Sequence, residues 1–237
     1  MKVITTYMTY NGLDEMRQSC GGAGFLVASG ICSQWQEIAP FPTFEGVSVV
    51  MLQQSARYLF KQAERVGKGK KCESYFAYIN DTERLCSSRS GARTVEDFLS
   101  WEHLTAALST QSAFYIRYVD DLIKNDSRPK KEKENEVYAL EVQKMAKYHL
   151  NYSLYEMAKK RINEHDFKDA SIRPALHTVV KLFAVKQLMD DSECLYETGF
   201  FGAGSGKLRD EAFKKLLNDL RPNMLGLLEF CPNFEEA

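Results

Sequence analysis

Two short stretches hold the residue types from which a reaction site could be built. The first, RQSCGGAGF at 17–25, sets three glycines within four residues, Gly21, Gly22 and Gly24. Glycine permits positive φ and lets other groups approach the backbone closely. The second, PTFEGVSVVMLQQSARYL at 42–59, carries one carboxylate, Glu45, between Phe41, Pro42 and Phe44 on one side and Val47, Val49 and Val50 on the other. Each stretch has a plain structural reading taken alone. A glycine turn between helices needs no ligand, and a Glu at a helix start is commonly a capping feature. Their order, spacing and flanks together form the informative signal.

Other chemistries find less support. GFFGAGSGK at 199–207 is glycine-rich, yet a phosphate-binding loop needs Gly where Phe201 stands and Ser or Thr where Leu208 stands. It reads as a turn between helices. His103, His149, His165 and His177 are scattered, with no pair at metal-ligand spacing, so no metal site is expected. Cys20, Cys32, Cys72, Cys86, Cys194 and Cys231 include no C-x-x-C pair and read as free thiols of a reducing compartment. The run RPKKEKENE at 128–136 is mixed in sign and reads as a solvated loop. Tyr148, Tyr152, Tyr155 and Phe167 fall at near-helical intervals and read as packing.

The elements that must position these residues are helical almost throughout. A helix is expected over 1–18, interrupted at Asn11-Gly12, then a stop at the glycines and a second helix over 25–38 weakened by Gly30. Pro40, Pro42 and Gly46 mark a loop, and a strongly periodic helix runs from Val47 to the GKGKK at 67–71. Residues 67–93 are the expected linker, although YFAYI at 75–79 is too apolar for simple disorder. Thr94 reads as an N-cap, with Glu96 and Asp97 suited to the first turn of a helix reaching Ile123. Helices follow over 136–163, 173–189, 191–201 and 206–220. No stretch shows clean period-2 alternation, so the fold class is all-α. The expected domains are 1–66 and 94–237, joined by 67–93.

Composition sets the outer bounds. The chain has 237 residues, 44% hydrophobic and 27% charged, which excludes an intrinsically disordered chain. Thirty-one basic residues against 32 acidic ones argue against a general nucleic-acid binder. No run of 18 apolar residues predicts a transmembrane segment. The N-terminal residues lack the basic and apolar regions of a signal peptide, and the C-terminal NFEEA is not a peroxisomal S-K-L-type signal.

The two stretches resemble the acyl-CoA oxidase family, relatives of the acyl-CoA dehydrogenases. In that family a C-G-G-H-G-Y-like loop precedes T-Y-E-G-x-N-T-V running into L-L-Q-x-A-R-Y-L. Cys20, Gly21, Gly22, Gly24 and Phe25 match the first, and Thr43, Phe44, Glu45, Gly46, Val50, Gln54, Ala56, Arg57, Tyr58 and Leu59 match the second. The segment from Phe200 through LRPNMLGLLEF resembles more weakly the end of the family's C-terminal helical domain, so the chain reads as the helical C-terminal half, two packed helical subdomains.

The resemblance implies oxidation of a fatty acyl-CoA to the trans-2-enoyl-CoA, with FAD as cofactor and hydrogen peroxide as by-product. Glu45 would be the base that takes the α-proton, and apolar surroundings would raise its pKa toward working pH. Its backbone N–H would hydrogen-bond the thioester oxygen, and Phe44 and Gly46 would line the substrate site. Gln18, Gly21, Gly22 and Gly24 would contact the FAD of a neighbouring subunit, implying a homodimer. The family places an N-terminal helical domain and a β-domain ahead of the portion seen here. The chain alone is therefore not expected to hold FAD, and a second region or partner chain should complete the site. The family also implies a peroxisomal setting, with a mitochondrial one as the alternative.

This sequence departs from the family pattern at Ala23, where His is usual, and at Phe25 and Phe44, which lack the phenol hydroxyl. Val47-Ser48-Val49 replaces an acid, Asn and Thr. Two functions remain open: part of an active oxidase, or a catalytically inactive structural or assembly subunit.

Overall fold

The computed structural model describes residues 1–229; Cys231 and the C-terminal NFEEA lie outside them. Twelve α-helices carry the described chain, and no strand occurs among those residues. They are α1 Lys2–Ser19, α2 Ile31–Ile38, α3 Ser48–Gly67, α4 Thr82–Ser87, α5 Val95–Phe98, α6 Trp101–Lys124, α7 Lys130–Glu132, α8 Ala139–Glu164, α9 Ile172–Asp190, α10 Glu193–Glu197, α11 Ser205–Leu220 and α12 Met224–Glu229. The all-α expectation holds. None of these helices is long and apolar enough to cross a membrane.

The chain divides into two units, Met1–Lys70 with Tyr115–Leu150, and Lys71–Phe114 with the chain from Asn151 onward. In the first unit α1 buries Val3 and Ile4, and α3 buries Ala56, Leu59 and Gln62. The first unit's part of α8 buries Val142, Met145, Ala146 and His149, an i, i+3, i+4, i+7 stripe that identifies the core face. In the second unit α9 buries Val180, Ala184, Val185 and Leu188, and packs on α11 through Ala212, Leu216 and Leu220. Phe98, His103, Phe200 and Phe201 form an aromatic cluster there, with His103 4.7 Å from Phe98 and 5.8 Å from Phe200 between ring centroids.

Several expected boundaries differ from those observed. Asn11-Gly12 does not interrupt α1; a helical Gly costs only about 1 kcal/mol, which the rest of an 18-residue helix absorbs. The glycine stop forms a 3₁₀ turn, Gly21–Phe25, and the single helix expected over 25–38 is instead a second 3₁₀ turn, Val27–Ser29, followed by α2. Gly30 at φ 72° breaks the path, since an α-helix requires negative φ. The helix expected to run unbroken from Val95 parts at Leu99-Ser100 into α5 and α6. Thr94 is the N-cap, in a capping box with Asp97.

Residues 71–93, expected to lie in a linker, belong to the second unit and bury Cys72, Tyr78, Ile79 and Leu85. YFAYI is apolar because it is core. The run at 128–136 is not a solvated loop: α7 leads into a π-helical turn, Lys133–Val137, where Lys133 and Glu134 are buried. Lys133 donates from Nζ to the carbonyls of Ile123 (2.7 Å) and Asp126 (2.8 Å), satisfying the end of α6. The stretch 199–207 is the expected turn, with Gly199 at φ 71° and Gly204 at φ 87° before α11. Tyr148 packs on Tyr115 and Tyr152 on Tyr78, also as expected.

Candidate active site

Both sequence stretches of interest lie in the first unit, and α1 positions both. At its C-terminal end the chain turns at Cys20 into the glycine loop. Gly24 is buried there, and a Cβ on it would stand 2.0 Å from the carbonyl oxygen of Arg17. Only glycine allows that close approach. Arg17 also fixes the loop through its side chain. Its guanidinium pairs with Asp14 at 2.6 Å and lies over the rings of Phe25 (4.5 Å) and Trp35 (5.3 Å). Gln18 turns back on the helix, donating from Nε2 to Asp14 Oδ2 at 2.7 Å. Hydrogen bonds from Arg17 and then Gln18 hold the Asp14 carboxyl below its usual range.

The four loop residues therefore divide. Gly21 and Gly22 are exposed with open space where a Cβ would lie, so their backbones are approachable. Gly24 is spent on packing against α1, and the Gln18 side chain is engaged within its own helix.

The Glu45 turn sits at the other end of α1. Thr43 and Phe44 donate their N–H groups to the carbonyl of Pro40, and Ser48 donates its N–H and hydroxyl to that of Pro42 (3.2 and 3.0 Å). Glu45 follows at φ 57°, in the left-handed region that a non-glycine residue adopts at a cost of about 1–3 kcal/mol. Gly46 continues at φ 111°, and a Cβ on it would stand 2.9 Å from Met51 Sδ, so it is glycine for conformational reasons.

Sequence reasoning missed Lys2, whose Nζ donates to the carbonyls of Phe44 and of Gly46 (3.0 Å) and lies 5.7 Å above the Phe44 ring. Forty-two residues separate it from Phe44, so no local pattern could have found it.

The apolar slot expected around Glu45 is only half present. Glu45 is exposed, and so are Phe41, Phe44, Val47, Val49 and Val50 around it. Among the described residues these side chains form an exposed apolar collar around it. From Lys2 to Arg17 is 15 residues of α-helix, so the Glu45 turn and the glycine loop lie roughly 20 Å apart. They cannot meet at the same reacting atoms.

A groove of about 620 Å³ in the same unit lies farther along α3, lined by Arg57, Lys61, Glu64 and Lys68 among others. Lys68 pairs with Glu64 along α3 and Lys124 with Asp120 along α6, which neutralises much of its charge, and it does not include Glu45. No cluster of three potential metal ligands occurs among the described residues.

Comparison with known proteins adds an independent line. The family model "Acyl-CoA oxidase, C-alpha1 domain" matches residues 1–60, and "Acyl-CoA oxidase" matches residues 100–230. Among curated proteins, peroxisomal acyl-coenzyme A oxidase 1 of Arabidopsis thaliana is 24% identical over 230 residues, covering 97% of this chain and 34% of that protein. The Rattus norvegicus peroxisomal acyl-coenzyme A oxidase 1 is 25% identical, covering 97% of this chain and 35% of its own. Among solved structures, an acyl-CoA oxidase from tomato superposes with a TM-score of 0.90 at 25% identity, covering 96% of this chain and 34% of that one. Acyl-CoA oxidase-1 of Caenorhabditis elegans, solved in complex with FAD and ATP, matches with a TM-score of 0.75 at 25% identity, with the same coverages. The chain thus spans about a third of the length of the relatives it matches.

Proposed function

The chain belongs to the acyl-CoA oxidase family, and from that premise we propose that it forms the C-terminal part of an FAD-dependent acyl-CoA oxidase with Glu45 as the base. The observation that carries this reading is the Glu45 turn itself. The turn is held in a costly left-handed conformation, and among the described residues neither the carboxylate nor the backbone N–H of Glu45 has a hydrogen-bond partner. Such strain persists where the surrounding structure over-determines it, and it clusters at functional sites.

In the proposed reaction the Glu45 carboxylate takes the proton α to the thioester carbonyl. Its N–H hydrogen-bonds the carbonyl oxygen, where negative charge gathers as that proton leaves. Phe41, Phe44, Val47 and Val50 form the apolar side of the slot. Once covered, they exclude water from the reacting atoms. FAD, when bound, supplies hydride acceptance from the β-carbon and onward transfer to oxygen. Gly21 and Gly22 offer approachable backbone to that cofactor. Because the glycine loop and Glu45 lie at opposite ends of α1, the loop is assigned to the flavin of a second copy in a homodimer, and the rest of each site to chain or partner beyond these residues. The relatives' names favour a peroxisomal setting and give no support to a mitochondrial one.

A second reading, an inactive assembly subunit, draws on the polar groups missing next to Glu45. Val47 and Val49 offer none, and the Ser48 hydroxyl is spent on Pro42.

One experiment separates the readings. The flavin-loaded protein containing this chain is mixed anaerobically with acyl-CoA and flavin bleaching is followed. The active reading expects bleaching, slowed roughly 10²–10⁴-fold by Glu45→Gln at unchanged flavin content. A folded, flavin-loaded protein that never bleaches establishes the inactive reading. Bleaching by Glu45→Gln at the parent rate removes Glu45 as the base.

A further inference from the structure

We propose that Lys2 is the positioning residue of the Glu45 turn: one ammonium group gathers the carbonyls of Phe44 and Gly46 and so aims the Glu45 N–H away from α1. The inference rests on the reading of Glu45 as base, and it deepens that reading by naming what holds the base in place.

The geometry follows from peptide planarity. In a trans peptide the C=O and the following N–H point in opposite directions. Lys2 Nζ draws in the Phe44 carbonyl, so the Glu45 N–H must face the other way. It also draws in the Gly46 carbonyl at 3.0 Å, so the Val47 N–H faces outward too. Neither N–H donates to any described residue. Both carbonyls converge on one cation across a left-handed stretch of chain, at φ 57° for Glu45 and φ 111° for Gly46. The cation therefore offsets the strain of holding a non-glycine residue there.

Two features make Lys2 suited to this. It is the first helical residue of α1, and its stem is half-buried beside Val3 and Ile4, so the ammonium is delivered from a rigid element. It also lies over the Phe44 ring, which fixes the side chain next to Glu45 in the same act. Lysine provides three donors on a point charge, enough for two carbonyls at once. Methionine matches its length and apolar stem but donates nothing. Arginine donates in a fixed fork and can still bridge two oxygens.

Two measurements test the proposal. Solution NMR of the 237-residue chain reads the Glu45 backbone conformation. Lys2→Met is expected to release Glu45 from positive φ, and Lys2→Arg to retain it. In the flavin-loaded protein, Lys2→Met is expected to slow bleaching by acyl-CoA about 10- to 100-fold at unchanged flavin content, with acyl-CoA affinity changed less than the rate, and Lys2→Arg to restore much of it. A Lys2→Met chain that keeps Glu45 at positive φ overturns the proposal. So does a rate loss that merely parallels lost flavin or a lowered melting temperature, since that marks a purely structural lysine. If Glu45→Gln bleaches at the parent rate, the base assignment fails, and the NMR result still decides separately whether Lys2 sets the turn.

Discussion

Gly24 and Gly22 stand two residues apart and do different work. A Cβ at Gly24 collides with the Arg17 carbonyl, a backbone atom that cannot step aside, whereas a Cβ at Gly22 meets nothing within 4 Å. Gly24→Ala is therefore expected to destabilise the chain by about 1–3 kcal/mol, and Gly22→Ala by less than about 0.5 kcal/mol. Urea denaturation of both variants checks this; equal midpoints would mean that the loop adjusts freely. Buried histidines make a second prediction at this scale. Burial holds His103 and His149 neutral, with pKa values lowered to about 4 from the ordinary 6.5. The unfolded chain then binds more protons than the folded one between those limits, so stability falls as pH drops from about 6.5 to about 4. The loss amounts to as much as about 3 kcal/mol per histidine. Asp97 near His103 opposes the shift without cancelling it. Replacing both histidines with Gln should flatten the melting temperature over that range.

At the scale of the element, the capping box shows which signals survive into the structure. Thr94 accepts from the Asp97 N–H at 3.1 Å, and Asp97 accepts from the N–H groups of Thr94 and Arg93, both at 3.0 Å. Those backbone donors hold the Asp97 carboxyl below its usual range. Thr94→Ala should cost about 0.5–2 kcal/mol, read as a lower denaturation midpoint with an unchanged slope. This cap was legible because N-cap, first-turn acid and helix are consecutive in the chain. The π-helical turn at Lys133–Val137 was not legible. Its charged run resembles any solvated loop, and what buries Lys133 is the set of free carbonyls at the end of α6, whose position local sequence does not carry. The 3₁₀ turn Val27–Ser29 before α2 reads as helix from sequence because Phe25, Leu26 and Val27 are apolar, although the fold leaves them exposed.

At the scale of the whole molecule, the two units draw on interleaved stretches of chain, and the division falls inside α6 and α8. A sequence reading naturally cuts a chain once, at a turn-rich stretch, which is why residues 67–93 read as a linker. Helical periodicity, the Thr94 cap, the Gly199–Gly204 turn and the pairing of a glycine loop with a Glu-Gly stretch were determined by the sequence alone, because each is a matter of residue type at short spacing. They were enough to fix an all-α chain and its family. Only the tertiary structure decided that Gly24 is a packing glycine, that Glu45 stands exposed in a strained turn, that α1 separates it from the glycine loop, and that Lys2 holds it there. Those are contacts between residues far apart in the chain, where side-chain reach and backbone direction count and spacing along the sequence does not.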